Sequence, residues 1–346
     1  MPPDTAPVRK GEELNLPALV RYLCGKIDGA TEGVRVAQFP GGHSNLTYLL
    51  TVADREYVLR RAPLGPVAPK AHDMVREARI LEAVHPHFPP APEVYLVCED
   101  PQILGSPFFL MQRRRGVILR EHAPDEISRH ENYPARISRA FTDCLIQLHS
   151  IDVQQHGLIA LGKPEGFLAR QVKGWSDRWT RAQTEPMPEM DRVASWLAET
   201  LPPSPPPTLV HNDFKLDNVM LDGPDRIEAV LDWEMTTIGD PLCDLGLTLC
   251  YWSSTEIPGT DHRAVSAGPG WWSRDQLVAH YAAKTGRDLT ALPWHEVFGV
   301  FKLAVILQQI YFRFVRGQTT DERFQNFGHR VQSLVARAAK MMEAAS

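Results

Sequence analysis

Asp213, Lys215, Asn218 and Asp232 are the residues whose types and spacing could do chemistry together. They surround a short predicted hairpin in which Val219-Met220-Leu221 runs out, Asp222-Gly223-Pro224-Asp225 turns, and Ile227 to Leu231 runs back. An antiparallel hairpin sets its outer ends side by side, so Asn218 and Asp232 are expected close together. An amide oxygen and a carboxylate are hard ligands that suit Mg²⁺, above all where phosphate oxygens and water complete the octahedron. Just upstream, His211-Asn212-Asp213-Phe214-Lys215 adds a carboxylate and an ammonium. This is a layout for phosphoryl transfer, a reaction catalysed mainly by positioning and charge neutralisation. Each residue alone is ordinary turn chemistry. The pattern H-x-D-x-x-x-x-N, followed by a hairpin that ends in Asp, is not.

The elements that must hold these residues are legible in the periodicity. Leu46, Tyr48, Leu50 and Val52 alternate along one predicted strand, Asp54-Arg55 turns, and Tyr57 to Arg60 returns. From Ala71 to Val84 the pattern is helical, with Met74, Ala78 and Leu81 on one face and Glu77 beside them. A glutamate on an apolar face requires a cation. Strands are predicted at Val94 to Cys98 and Phe108 to Met111, and Arg113-Arg114-Arg115-Gly116 reads as a hinge. Beyond it the stripes Ile137, Phe141, Cys144, Leu145, Leu148 and Met190, Val193, Leu197 predict helices. Lys302, Gln309, Arg313 and Arg316 form a polar stripe on a late apolar helix. The expected fold class is α+β, with a β-rich nucleotide-binding lobe over 1–112, a hinge at 113–116 and a larger helical lobe over 117–346.

Composition sets outer bounds. The 346 residues carry a formal net charge of -5, which disfavours a nucleic-acid partner. The five cysteines form no C-x-x-C pair, as expected of a reducing compartment. The first residues lack a basic stretch followed by an apolar one, and the most apolar run, Val297 to Leu307, is short and contains Lys302. A cytoplasmic protein with no membrane partner is expected, and nothing in the sequence specifies an oligomeric state.

The segments Leu209 to Asn218, Val230-Leu231-Asp232-Trp233-Glu234 and Gly239-Asp240-Pro241-Leu242-Cys243-Asp244-Leu245 resemble the aminoglycoside phosphotransferase and choline kinase branch of the protein-kinase-like fold. The likeness is greatest to the kinase-like domains joined to acyl-CoA dehydrogenases. It implies that Asp213 orients or deprotonates an acceptor hydroxyl, that Lys215 reaches the transferring γ-phosphate, and that Asn218 and Asp232 hold Mg²⁺. His211 would brace the loop, and Asp240 and Asp244 would buttress it. Gly41, Gly42, His43, Ser44 and Asn45 resemble the loop that covers nucleotide phosphates. Val58 would cover the base and Arg60 would take the place of the usual phosphate-binding lysine, paired with Glu77, with Arg61 as the competing cation.

The function this implies is transfer of a γ-phosphate from ATP, or GTP, to the hydroxyl of a small molecule. Two alternatives stand beside it: a protein kinase, disfavoured because little chain separates Asp232 from Asp244, and a non-catalytic nucleotide-binding pseudokinase module. The resemblance suggests a hydroxyacyl-CoA as acceptor. Basic groups at Arg113-Arg114-Arg115 or on the Lys302 stripe would suit such an anion, whereas an aminoglycoside would want carboxylates.

Overall fold

The computed structural model describes residues 4–40, 45–63, 73–252, 264–319 and 321–345. Its contacts divide the chain into two compact units, Met1–Gly116 with Glu228–Thr236, and Val117–Ile227 with Thr237–Ser346.

The N-terminal unit contains α1 (Leu16–Leu23), β1 (Val34–Gln38), β2 (Leu46–Val52), β3 (Arg55–Arg61), α2 (Met74–Val84), β4 (Val94–Cys98), α3 (Pro101–Leu104) and β5 (Phe108–Gln112). The strands form one antiparallel sheet in the order β1-β2-β3-β5-β4. The alternation along β2 becomes burial of Leu46, Tyr48, Leu50 and Val52, because successive side chains point to opposite faces. The hairpin register pairs Leu46 with Arg61 and Val52 with Arg55. On the buried face, Leu19 and Leu23 of α1 join Tyr48, Leu50, Leu59 and Phe108 in one core. Helix α2 packs on β4 and β5 and starts at Asp73, whose side chain accepts from Arg76 N at 2.9 Å.

One segment lies elsewhere than the sequence suggests. Glu228–Thr236, read as part of the helical lobe, belongs to the N-terminal unit. Arg114 Nη1 bonds Glu228 Oε1 at 3.1 Å, Val230 N donates to Pro90 O at 2.9 Å, and Trp233 meets Phe88 edge-on at 5.9 Å. These contacts span more than a hundred residues, and no local pattern announces them.

The remaining elements are α4 (Asp125–Ser128), α5 (Tyr133–His149), α6 (Phe167–Ala182), α7 (Pro188–Glu199), β6 (Thr208–Val210), β7 (Val219–Leu221), β8 (Ile227–Val230), β9 (Thr237–Gly239), α8 (Pro241–Tyr251), α9 (Arg274–Thr285), α10 (Leu292–Val315) and α11 (Phe327–Ala345). The turn from β7 to β8 closes through Asp222 N to Arg226 O at 3.0 Å, and β8 then leads into the other unit. Strand β6 pairs with β9, an element the sequence did not reveal. Helix α10 packs against α6, α8 and α11. It is long and apolar enough to cross a membrane by composition, but most of its apolar surface is buried within its own unit. Gly246 lets α8 and α10 approach closely, since a Cβ there would lie 2.7 Å from the His295 backbone.

Two expectations about basic groups are corrected here. Arg113, Arg114 and Arg115 are paired with Asp4, Glu228 and Glu56, so carboxylates of their own unit already engage them. The stripe on α10 is not one surface, because Lys302 is only 4% exposed while Arg313 and Arg316 face solvent. The close crossing of α10 with α8 buries the flank that carries Lys302.

Candidate active site

Within the N-terminal unit, β3 carries Val58 and Arg60 to one face, and both are buried. Arg60 Nη1 lies 3.0 Å from Glu77 Oε1 of α2, and Arg60 Nη2 lies 3.1 Å from Asp232 Oδ1. Arg61 points to the opposite face, where it donates to Leu104 O at 2.8 Å, Glu12 O at 3.0 Å and the Tyr48 hydroxyl at 3.1 Å. The choice between the two arginines as partner of Glu77 therefore falls on Arg60. Asp232 adopts the left-handed backbone region, φ 67°, and its side chain remains 34% exposed. Asn45 Nδ2 donates to Glu234 Oε2 at 3.0 Å, and Arg76 donates to the carbonyls of Glu234 and Thr236 at 2.8 and 2.6 Å. Gly41, Gly42, His43 and Ser44 lie outside the described residues.

Electrostatically this cluster sets one buried guanidinium against Glu77, Asp232 and Glu234. Burial, only partly offset by Arg60 and reinforced by the two neighbouring carboxylates, pushes Glu77 up to about 7. Arg60 is shifted upward: burial works against its charge, and the attraction of Glu77 and Asp232 outweighs it. A partly exposed aspartate oxygen is a hard ligand of the kind a divalent cation accepts.

In the C-terminal unit, Asp213, Lys215 and Asn218 come together on the loop after β6. Asp213 Oδ2 accepts from Asn218 Nδ2 at 2.8 Å and lies 3.1 Å from Lys215 Nζ. Asn218 Nδ2 also donates to Asp213 O at 2.9 Å, so the amide oxygen is the ligand atom this side chain has left. Burial opposes the charge on Lys215, but Tyr251 and Asp213 raise its pKa and keep it an ammonium. Lys215 Nζ also sits 5.1 Å from the Tyr251 ring centre.

The loop is anchored from beneath. Asp244 on α8 accepts from His211 N at 2.6 Å and Asn212 N at 2.5 Å. Its carboxylate is held by His149 Nε2 at 3.2 Å, and His149 Nδ1 is 2.8 Å from the Tyr281 hydroxyl. Burial alone would raise Asp244, yet the His149 contact and the His211 backbone hold it below the usual carboxylate range. His211 is fully buried and its Nδ1 faces Asp213 N at 3.3 Å, which makes it a brace for the loop. Asp240 caps α8 through Leu242 N at 2.9 Å and meets His295 Nε2 at 3.2 Å.

Beside Lys215 lies a cavity of about 30 Å³, lined by Phe141, Leu216, Tyr251, Trp252 and Val265 with Arg120 at its edge. Lys215, Asp217, Thr248 and Ser266 line it as well, and its volume suits water rather than a substrate chain.

Among the described residues, no group of three or more His, Cys, Asp or Glu side chains could hold a metal ion. Asn218 belongs to the C-terminal unit and Asp232 to the N-terminal one. Sequence reasoning missed Arg76, Glu234 and His149. Their partners lie 158, 189 and 95 residues away, which no local spacing reveals.

Residues 35–277 match the phosphotransferase enzyme family. The chain is 35% identical over 342 residues to mouse acyl-CoA dehydrogenase family member 10, covering 96% of this chain and 31% of that protein. It is 32% identical over 353 residues to chicken acyl-CoA dehydrogenase family member 11, covering 98% of this chain and 45% of that protein. It thus spans less than half the length of either relative. Among solved structures, a Ralstonia eutropha protein designated an aminoglycoside phosphotransferase superposes with a TM-score of 0.78 at 26% identity, covering 96% of this chain and 99% of that one. Choline kinase from Cryptosporidium parvum shares the fold, with a TM-score of 0.60 at 11% identity over 94% of this chain and 98% of its own. With a kinase-like fold, an Asp213-Lys215-Asn218 loop and a family match over most of its length, this chain belongs to the phosphotransferase enzyme family.

Proposed function

We propose that this phosphotransferase is a small-molecule kinase that moves the γ-phosphate of ATP to an alcohol. The observation that carries the reading is the Asp213 carboxylate gripped by Lys215 and Asn218 in a member of this family. The acceptor oxygen forms a bond to the γ-phosphorus while the bond from that phosphorus to the β–γ bridging oxygen breaks. The hydroxyl proton passes to Asp213, and ADP leaves. Lys215, held as an ammonium, offsets charge on the transferring group. Arg60, fixed by Glu77, would bind the α- and β-phosphates. Asn218 and Asp232 would hold Mg²⁺, which when bound draws charge from the phosphate oxygens.

For the acceptor we propose a hydroxyacyl-CoA or a similar hydroxyl on an apolar chain. The support is the relatives named for acyl-CoA dehydrogenation. Phosphate leaves far more readily than hydroxide, so phosphorylation would prepare such a chain for loss of that oxygen. Arg113 and Arg114 do not support this acceptor, because both are largely buried in ion pairs, whereas Arg115 stays 74% exposed beside Glu56. Steady-state kinetics with ATP and GTP against 3- and 4-hydroxyacyl-CoAs and kanamycin-type aminoglycosides tests both levels. Thioester-dependent ADP release is expected. Efficient aminoglycoside turnover without thioester activity overturns the acceptor, and nucleotide binding without turnover of any acceptor overturns the kinase in favour of a pseudokinase.

A further inference from the structure

Lys302 is a buried cation inside the long apolar helix α10, and none of the roles above uses it. It is 4% exposed. Its Nζ donates to Asn212 O at 2.9 Å, across 90 residues of sequence, and lies 5.5 Å from the Trp175 ring centre. A buried ammonium is retained only where it is hydrogen-bonded and electrostatically compensated. The compensation comes from Asp213 and Asp244, which counter the lowering of its pKa by burial, while Arg178 works against it.

What Lys302 grips is the residue next to Asp213. Asn212 sits in the left-handed region, φ 65°, a conformation that a side-chain-bearing residue keeps only when its surroundings impose it. Its N–H goes to Asp244 on α8 and its carbonyl to Lys302 on α10. The two helices cross closely at Gly246 and Gly299, one turn before Lys302, so the two grips are set by one rigid packing. Rotating the Asn212–Asp213 peptide would break the Lys302 bond and re-aim the Asp213 carboxylate.

We infer that Lys302 is a positioning residue for Asp213, fixing the peptide that aims the base from a helix outside the catalytic loop. The inference rests on the reading of Asp213 as that base, so its test has one arm that needs no turnover. Lys302→Met keeps the length and apolar packing but removes the donor. In the full chain with Mg-ATP, kcat should fall roughly 10- to 100-fold with KM for Mg-ATP within about twofold, the pattern of a misaimed group rather than a lost binding contact. Lys302→Arg, which keeps a donor, should retain more of kcat than the Met variant. By hydrogen exchange, the amides of 211–214 in Lys302→Met should lose roughly tenfold or more protection while α8 and α10 keep theirs. A role confined to core packing predicts the reverse, because an apolar replacement of a buried charge leaves stability equal or higher and the loop unchanged. Unchanged exchange at 211–214 overturns the inference, as does unchanged kcat in an active enzyme. If the wild type turns over no acceptor and no ATP, the kinase reading fails, and the exchange arm still decides whether Lys302 holds the loop. Should Lys302→Met not fold, Lys302→Leu, which likewise lacks a donor, is read the same way.

Discussion

The two clusters solve the placement of charge in opposite ways. In the N-terminal unit, Arg60 is shared between Glu77 and Asp232, with Glu234 close by, and Asp232 stays partly exposed. In the C-terminal unit, the peptide groups around Asn212 are engaged on both sides by Asp244 and Lys302, and Asp213 is held by Lys215 and Asn218. The first cluster leaves a partly exposed carboxylate, Asp232, within reach of a ligand. The second is saturated by hydrogen bonds and holds one carboxylate in one direction. Ligand binding suits the former and aim suits the latter, since an exposed carboxylate can take a partner whereas a carboxylate held on several sides keeps one direction.

That contrast can be broken by mutation. The largest effect is expected in the saturated cluster: Asp213→Ala should lower kcat by roughly 10²–10⁴ with nucleotide affinity little changed. Near-normal turnover would remove Asp213 from the chemistry. In the unsaturated cluster the damage should appear in binding instead. Calorimetry with Mg-ATP should show Asp232→Ala weakened by about tenfold or more, which is about 1.4 kcal/mol or more. Asn218→Ala should lose less, because water replaces a neutral ligand more readily than a carboxylate. Wild-type affinity in Asp232→Ala sinks the metal assignment.

A smaller effect sharpens the roles of the two arginines. A double-mutant cycle between Arg60 and Glu77 should show coupling of about 0.5–3 kcal/mol in stability or nucleotide binding. Arg61 and Glu77 should be additive, because Arg61 serves Leu104, Glu12 and Tyr48 on the other face. Coupling through Arg61 instead would reverse the assignment.

The smallest effect is a pH dependence. Glu77 is raised from 4.5 to about 7 by burial, so between those values the folded chain holds more protons than the unfolded one. Its contribution to stability is complete below the unfolded value and is lost as pH rises through about 7. Relative to Glu77→Gln, which mimics the protonated form, wild-type Tm should fall by a few degrees across this window, about 1 kcal/mol corresponding to roughly 2–4 °C. A parallel pair of Tm profiles would show that Arg60 compensates Glu77 fully.

Much of this was legible in the residues themselves. The alternation of Leu46, Tyr48, Leu50 and Val52 determined a half-buried strand, because a pleated strand has period two. Glu77 on the apolar face of α2 demanded a cation, because a carboxylate does not stay buried unpaired. The H-x-D-x-x-x-x-N spacing put Asp213 and Asn218 on one loop, where they bond directly. Local rules sufficed wherever partners are near in sequence or the chemistry names the kind of partner required.

The identity of distant partners came only from the tertiary structure. The sequence demanded a cation for Glu77, and packing decided that Arg60 supplies it while Arg61 faces the other side of the sheet. The same packing enlisted Glu228–Thr236 into the N-terminal unit and neutralised Arg113-Arg114-Arg115 there. It also turned Lys302 away from the solvent stripe that helical spacing suggested and onto the carbonyl of Asn212. Periodicity fixes which face of a helix a residue occupies, but only the neighbouring helix decides whether that face meets water or the backbone of the Asp213 loop.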